Sequence, residues 1–542
     1  MKLHHSIFAM LSKYPIVSLF CIFFLHSLVL TGFAGHEERF LFYTIYNQLL
    51  ILSILFISSR IHKFIFYVTC LFITSYILYV VTYSVSYGGF PRLAAVSVIL
   101  ETNINETKEF YETVNIIPGI LMAVFTLVCT IIFHFLSVAC NNRLLVLIAL
   151  FPLLFCAEVI NRYEERSAHT WLDATRTAVK KGFITADLYN FHKYFKELEK
   201  FRDMPKSRQW ENISRYGRKK DFYVLVFGEG ARKSNHSIYG YPKETSPLLA
   251  KRRGMTIIDG VYAPAPQTSA SISRMLTLND KSTVDYSYNA IDLMNSMGLT
   301  THWISNQGYI GFYDTRVTLL AKPSNDQYFL NKGDFTESGF DNVVLKPLEK
   351  IISEKSNPDG EFIVIHLIGS HPNFCKRSPT QFFKVPELEE LGNIKNCYDD
   401  SIRYTDFILN EIMLRLEKTN SKLIYISDHG LTRLNRTPYF FYGLDDLVSR
   451  GAFEVPLIFW DSQSIKKSVK IQRTYYARNF IHTLANWVGI KSDILDNSLS
   501  VINDEYREGT CNDYSMTSSN ETITFSSKEM MEKCKFYDFV EK

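Results

Sequence analysis

The stretch "KLIYISDHG", residues 422–430, decides how the rest of the chain is read. Its opening residues suit a buried strand, and then Asp428, His429 and Gly430 arrive at the strand's end. An acid and an imidazole are costly to bury there unless something compensates them. Similar apolar runs stand at "FYVLVF" (222–227), "MTIIDGVYA" (255–263), "THWISN" (301–306), "FIVIHLIG" (362–369) and "VPLIFW" (455–460). Amphipathic helical stretches at 290–298, 341–355, 398–419 and 477–490 alternate with them. That alternation predicts an α/β domain whose mainly parallel sheet is covered by helices on both faces.

In such sheets ligands bind beyond the carboxyl ends of the strands. The residues that follow each strand are therefore the candidates. "FYVLVF" ends in Gly228-Glu229-Gly230, "THWISN" ends at Asn306, "FIVIHLIG" runs into Ser370-His371, and "LIYIS" into Asp428-His429. Glu229, Asp428 and His429 supply two oxygens and one nitrogen, a donor set suited to zinc. Singly each is weak, since a Glu after a strand is usually a surface charge and Asp-His-Gly usually a turn. Their shared placement carries the reading. A nucleophile is offered by "APAPQTSASISRMLTL" (263–278), where Thr268 opens a helical stretch. A hydroxyl at that position meets the positive end of the helix dipole, and metal coordination would lower its pKa further. The plain alternative for Thr268 is an N-cap.

The rest of the chain places this domain. Apolar runs at 15–34, 40–59, 64–85, 119–139 and 144–160 are each near the ~20 residues that cross a bilayer as a helix. A cleaved signal peptide would account for the first run only. Lys2, Lys13, Arg60, Lys63 and Arg143 lie in alternate connections, and the others are acidic or mixed, with Glu37, Glu38 and Arg39, then Glu101, Glu106, Glu109 and Glu112. By the positive-inside rule the N-terminus is cytoplasmic, and five spans put everything after about residue 162 outside. Net charge is +4 and no basic face is interleaved with aromatics, so nothing points to nucleic acid.

Of nine cysteines, five fall in the spans and Cys375, Cys397, Cys511 and Cys534 in the remainder. An even number outside the cytoplasm predicts disulfides, and the pairs Cys375–Cys397 and Cys511–Cys534 would each close a local loop. The expected organisation is a transmembrane domain over 1–162, an amphipathic helical linker over 163–220, and a periplasmic domain over 221–542. The linker reads equally as a helix on the membrane surface or as one packed on the soluble domain.

The motifs "VFGEGARKSNHSIYGYPKETSPLL", "QTSASISRML", "WISNQGYIGFYDTRVTLLA", "IHLIGSHP", "YDDSIRYTDFIL", "YISDHG" and "VPLIFW" occur in this order after five spans. Together they resemble the phosphoethanolamine transferases, membrane-anchored members of the alkaline phosphatase/sulfatase superfamily. The resemblance implies a zinc site of Glu229, Thr268, Asp428 and His429, with Thr268 as nucleophile and room for a second metal. Ser271 and Met275 match the Ser and Met that follow the family's nucleophile by three and seven residues. His366 and His371 match a histidine pair around the phosphoryl group and are the candidates for proton transfer. In "LETNINETKEF" (100–110), Asn103 and Glu106 match an element that faces the substrate in the family. On two points the chain departs from the family. Tyr442 stands where members often carry a histidine, and Asn306 and Gln307 replace a lysine that some use; these three, with Ser271, are the further residues expected to bind substrate.

The implied reaction moves phosphoethanolamine from phosphatidylethanolamine onto Thr268 and then onto an envelope glycan. A lipopolysaccharide core sugar is the favoured acceptor, with lipid A phosphate or periplasmic glucan as alternatives. A sulfatase would need Cys/Ser-x-Pro-x-Arg, which "TSASISR" lacks. A glycerolphosphate transferase of lipoteichoic acid synthesis shares the anchor and a Thr nucleophile, but "SNQG…YDT" and the cysteines outside the spans point away from it. A non-catalytic envelope protein would have no need of all four core residues.

Overall fold

The computed structural model describes residues 14–33, 40–87, 91, 114–140, 145–164, 170–180, 182–202, 210–279, 284–308, 316–331, 339–382, 394–433, 440–441, 449–509, 515–516 and 522–523. The chain forms two compact units, and after the apolar helices of the first the boundary falls between Lys196 and Glu197.

The first unit begins with α1 (Pro15–Phe33), α2 (Phe40–Ile61), α3 (Lys63–Tyr87), α4 (Ile117–Cys140) and α5 (Leu145–Glu164). Among the described residues, α1 to α4 are long and apolar enough to cross a membrane. The fifth expected run is also helical, with Pro152 inside it and Glu158 paired to Arg162 at 2.7 Å. Leu19, Phe23, Leu55, Ile77, Val80, Cys129 and Phe133 form the shared core of these helices. Where α4 meets α3, a β-carbon on Gly119 would fall 2.2 Å from Thr82 Oγ1, so only glycine allows that approach. Two further helices, α6 (Trp171–Val179) and α7 (Phe183–Arg202), follow. The stretch expected as a linker over 163–220 is thus not one piece, because the unit boundary falls inside α7.

The second unit is built on an eight-stranded sheet. Its strands are β1 (Phe222–Gly228), β2 (Met255–Tyr262), β3 (Thr300–Gly308), β4 (Asp326–Asn331), β5 (Glu361–His366), β6 (Ser421–Ser427), β7 (Leu457–Asp461) and β8 (Val469–Tyr476). They lie in the order β8-β2-β7-β6-β1-β5-β3-β4. β7 is antiparallel to both its neighbours, and every other pairing is parallel. Side chains alternate across the sheet as a strand's period of two requires. Leu225, Phe227, Ile424 and Ile426 join one core with α8 (Thr268–Met275), α9 (Ala290–Ser296), α10 (Arg316–Ala321) and α13 (Phe480–Val488). Val224, Val226, Leu423 and Tyr425 face the other, with α11 (Leu345–Glu354) and α12 (Ile394–Leu416). Strands covered on both faces read as continuous apolar runs, which is why β1 and β6 are visible in the sequence.

Candidate metal centre and nucleophile

The register of the central parallel pair builds the site. Gly228 of β1 lies opposite Ser427 of β6, so the next residues, Glu229 and Asp428, leave the sheet side by side. Asp428 N–H donates to the Gly228 carbonyl at 3.0 Å, which keeps the two chains together one step past the last strand pair. β7 runs the other way, so the segment entering it reaches the same edge. There the Ala452 carbonyl accepts from Gly430 N–H (2.8 Å) and the Phe453 carbonyl from Ala263 N–H (2.8 Å). A β-carbon at Gly430 would sit 2.0 Å from the Gly451 carbonyl oxygen. That explains the glycine after Asp428-His429, since the chain entering β7 occupies the space.

Each carboxylate has one satisfied oxygen and one bare one. Asp428 Oδ1 accepts from His429 N–H (2.7 Å) and Gly230 N–H (3.2 Å). Glu229 Oε2 accepts from Thr268 Oγ1 (2.9 Å) and Gln307 Nε2 (3.1 Å). Glu229 Oε1 and Asp428 Oδ2 are buried with no hydrogen-bond donor. Both lie against His429 Nε2, at 3.2 and 3.4 Å. His429 Nδ1 is 2.6 Å from the Gly430 carbonyl oxygen. Donating there fixes the neutral tautomer whose Nε2 carries a lone pair, the arrangement usual for a metal-bound histidine. Two bare carboxylate oxygens and a nitrogen lone pair thus converge on one buried point. Among the described residues, this is the group of metal-ligating side chains that comes together, with donor atoms within 4.8 Å of one another.

Such a cluster repels itself unless a positive charge is added. Burial, with Glu229 alongside, pushes the Asp428 carboxyl well above its ordinary range. Burial opposes charge on His429, yet the two carboxylates outweigh it and raise the imidazole to about 9. Without a cation the cluster would have to hold a proton. A divalent ion removes that need, and the mixed oxygen and nitrogen donors fit zinc.

Thr268 completes the arrangement. It is the first residue of α8, preceded by Gln267 at the cap position, so its hydroxyl is not spent on capping. Oγ1 lies 2.9 Å from Glu229 Oε2 and 3.2 Å from His429 Nε2. One turn on, Ser271 is fully buried and its hydroxyl donates to the Asp428 carbonyl. Ser271, a residue expected to meet substrate, ties the nucleophile's helix to the metal-ligand strand. Gln307 likewise serves the site itself, bridging Glu229 Oε2 and the Leu367 carbonyl (3.0 Å). Asn306 points elsewhere: it is buried and donates to Asp341 Oδ1 at 2.9 Å. Engaged in this way, Asn306 braces the residue that holds the histidine turn. Asn103, Glu106 and Tyr442, together with Cys511 and Cys534, lie outside the described residues.

His366 and His371 are both held neutral, with burial lowering each to about 4. The turn carrying them is gripped by residues not recognised in the sequence. Asp341 accepts from the N–H groups of Ile368 (2.8 Å) and Gly369 (2.9 Å). Arg377 is 3% exposed and donates to the carbonyls of His371 (3.2 Å) and Pro372 (2.8 Å). Both ends of the turn are therefore fastened by a buried charge. Cys375 is bonded to Cys397 of α12, which pins the same segment. Replacing Arg377 by Met is expected to lower kcat about tenfold or more with little change in KM, because two buried carbonyls lose their donors and His371 shifts. Steady-state kinetics with Arg377→Lys as partial rescue checks this. A KM effect alone would argue against it.

A family model named Sulfatase matches residues 221–490. A Haemophilus influenzae protein provisionally assigned as a phosphoethanolamine transferase is 37% identical over 246 residues, 43% of this chain and 50% of its own length. The chain thus spans about half of that relative. Phosphoethanolamine transferase EptC of Escherichia coli is 26% identical over 470 residues, covering 79% of this chain and 80% of that one. Among solved structures, the integral membrane lipooligosaccharide phosphoethanolamine transferase EptA of Neisseria meningitidis aligns with a TM-score of 0.62 at 18% identity, over 91% of this chain and 97% of that one. The periplasmic domain of Escherichia coli EptC, solved in complex with Zn, aligns with a TM-score of 0.51 at 24% identity, over 57% of this chain and 92% of that one. At these identities the structures speak for the fold. Membrane helices, a sulfatase-type sheet and relatives aligned across both units agree: the chain belongs to the phosphoethanolamine transferase family of the alkaline phosphatase/sulfatase superfamily.

Proposed function

We propose that this protein transfers phosphoethanolamine from phosphatidylethanolamine to an envelope glycan, a lipopolysaccharide core sugar, through a phosphoethanolamine-threonine intermediate at Thr268. The reading rests above all on Thr268 Oγ1, poised 2.9 Å from Glu229 Oε2 and 3.2 Å from His429 Nε2. Zinc, present in the solved EptC domain, would be held by Glu229, Asp428 and His429, where it lowers the hydroxyl pKa and offsets charge on the phosphoryl oxygens.

In the first half-reaction the Thr268 proton passes along its hydrogen bond to Glu229 Oε2, and Oγ1 attacks phosphorus. The bond to the diacylglycerol oxygen breaks, and that oxygen takes a proton from solvent and leaves as an alcohol. In the second, a sugar hydroxyl attacks the same phosphorus, the bond to Oγ1 breaks, and Glu229 Oε2 gives its proton back to Oγ1, returning Thr268. His371 or His366, neutral through burial, accepts the proton of the attacking hydroxyl and releases it to solvent. Gln307 keeps Glu229 aimed throughout. The chain would sit in a bacterial inner membrane with its N-terminus cytoplasmic and the second unit periplasmic, where donor and acceptor share a bilayer surface.

Mass spectrometry of lipopolysaccharide from cells with and without the gene tests the reading. The expected result is one gene-dependent phosphoethanolamine on a core sugar. Its appearance on lipid A or on glucan would keep the reaction and change the acceptor, and no gene-dependent phosphoethanolamine on any envelope glycan would end the proposal.

A further inference from the structure

Helix α7 carries two apolar faces. Phe183, Ile184 and Tyr194 are buried, and the first two join the core of the membrane helices. Leu188 and Phe195, seven residues apart and so on one side, stay 59% and 39% exposed. α6 repeats the pattern on a smaller scale: Ala174 and Ala178 are buried, and Trp171 and Leu172 are 54% and 58% exposed. A helix packed on one partner needs a single apolar stripe. A second stripe left open marks a second apolar medium.

The segment of α6 and α7 is firmly seated on its first partner. Asn47 Oδ1 accepts from Phe183 N–H at 2.8 Å, and the Tyr76 hydroxyl donates to Asp187 Oδ2 at 2.9 Å. A β-carbon at Gly182 would meet Thr185 Oγ1 at 2.5 Å and Leu50 Cδ2 at 3.0 Å, so the turn between the two helices lies close against α2. At the end of α5, Tyr163 stacks on Trp171 with ring centres 4.0 Å apart and planes at 11°. The segment is therefore fastened to α2 and α3, helices long and apolar enough to span a bilayer. Paired Tyr and Trp rings at such a junction are the composition of a membrane–water interface, where an apolar ring and its polar edge are both accommodated. Lys180 and Lys196, also exposed, suit the phosphate level of a lipid surface.

We propose that α6 and α7 lie along a phospholipid surface, with Trp171, Leu172, Leu188 and Phe195 immersed at the level of the glycerol and upper acyl chains. The first unit then contacts lipid through a helical pair lying on the bilayer as well as through its spans. The proposal stands independently of the transfer reaction.

Tryptophan fluorescence reads it directly. Trp210, Trp303, Trp460 and Trp487 are at most 5% exposed, which leaves Trp171 as the exposed indole. The full chain is reconstituted in vesicles of phosphatidylethanolamine and phosphatidylglycerol whose acyl chains are brominated either near the glycerol or deep in the core. Shallow bromines are expected to quench more than deep ones, and Trp171→Phe should lose the lipid-dependent quench with circular dichroism unchanged. Leu172→Asn with Leu188→Asn, both at exposed positions, should weaken it several-fold. Quenching by aqueous iodide in place of bromolipid would overturn the proposal. So would silence to both quenchers, which would mean that protein covers the stripe.

Discussion

Thr268→Ala is expected to abolish phosphoethanolamine transfer while leaving fold and metal binding in place. The substitution removes the hydroxyl, the group that would form the bond to phosphorus, together with the small γ-methyl. Removal of a covalent nucleophile costs at least about 10³-fold in rate. Little else should change. Ser271 N–H still bonds the Gln267 carbonyl at 2.9 Å, and the Ser271 hydroxyl still holds the Asp428 carbonyl, so α8 stays on the sheet edge. Glu229 Oε2 keeps Gln307 as a donor, which limits the stability cost to about 1 kcal/mol. Thr268→Ser should recover part of the rate. In the wild type, mass spectrometry of a quenched reaction should find phosphoethanolamine on the peptide containing residue 268. Full activity in the alanine variant, or an adduct on another residue, would remove Thr268 from its role.

The second large effect concerns the cation. Chelation is expected to abolish activity and lower the Tm, with zinc restoring both. A site that binds only the folded protein adds about 2.7 kcal/mol when free metal is a hundredfold above its Kd. The variant Asp428→Asn separates this from general damage, because its effect should change sign with the metal. In metal-free protein, a neutral amide beside Glu229 relieves two buried carboxylates of their repulsion, so stability should hold or rise by about 1–3 kcal/mol. With zinc present the variant should miss most of the gain seen in the wild type and lose transfer. Thermal unfolding of both proteins with chelator and with zinc is the measurement. A Tm indifferent to zinc in the wild type would refute the metal centre as drawn.

Much of this centre is legible in the residues alone. Glu229, Asp428 and His429 follow strands whose uninterrupted apolar runs mark them as buried on both faces, and the ends of buried parallel strands are where polar side chains need a reason. The spans are legible for the same cause, since a bilayer demands long apolar segments. The two edge strands were not. β4 reads "DQYFLN" and β8 "VKIQRTYY", polar stretches that an edge tolerates because one side of the strand faces water. The bracing of the histidine turn by Asp341 and Arg377 was equally hidden, because both act through backbone groups distant in sequence and leave no local pattern.

The amino-acid order by itself determined the class of each segment and the kind of atoms at each strand's end, because hydrophobic periodicity and donor chemistry are local properties. The tertiary structure decided what those atoms face. Whether Ser271, Asn306 and Gln307 would meet substrate or the protein's own groups depended on the strand register of β1 against β6 and on the direction of β7. Register and direction are set by packing across the whole sheet, a sum over many distant contacts that no short stretch of chain carries.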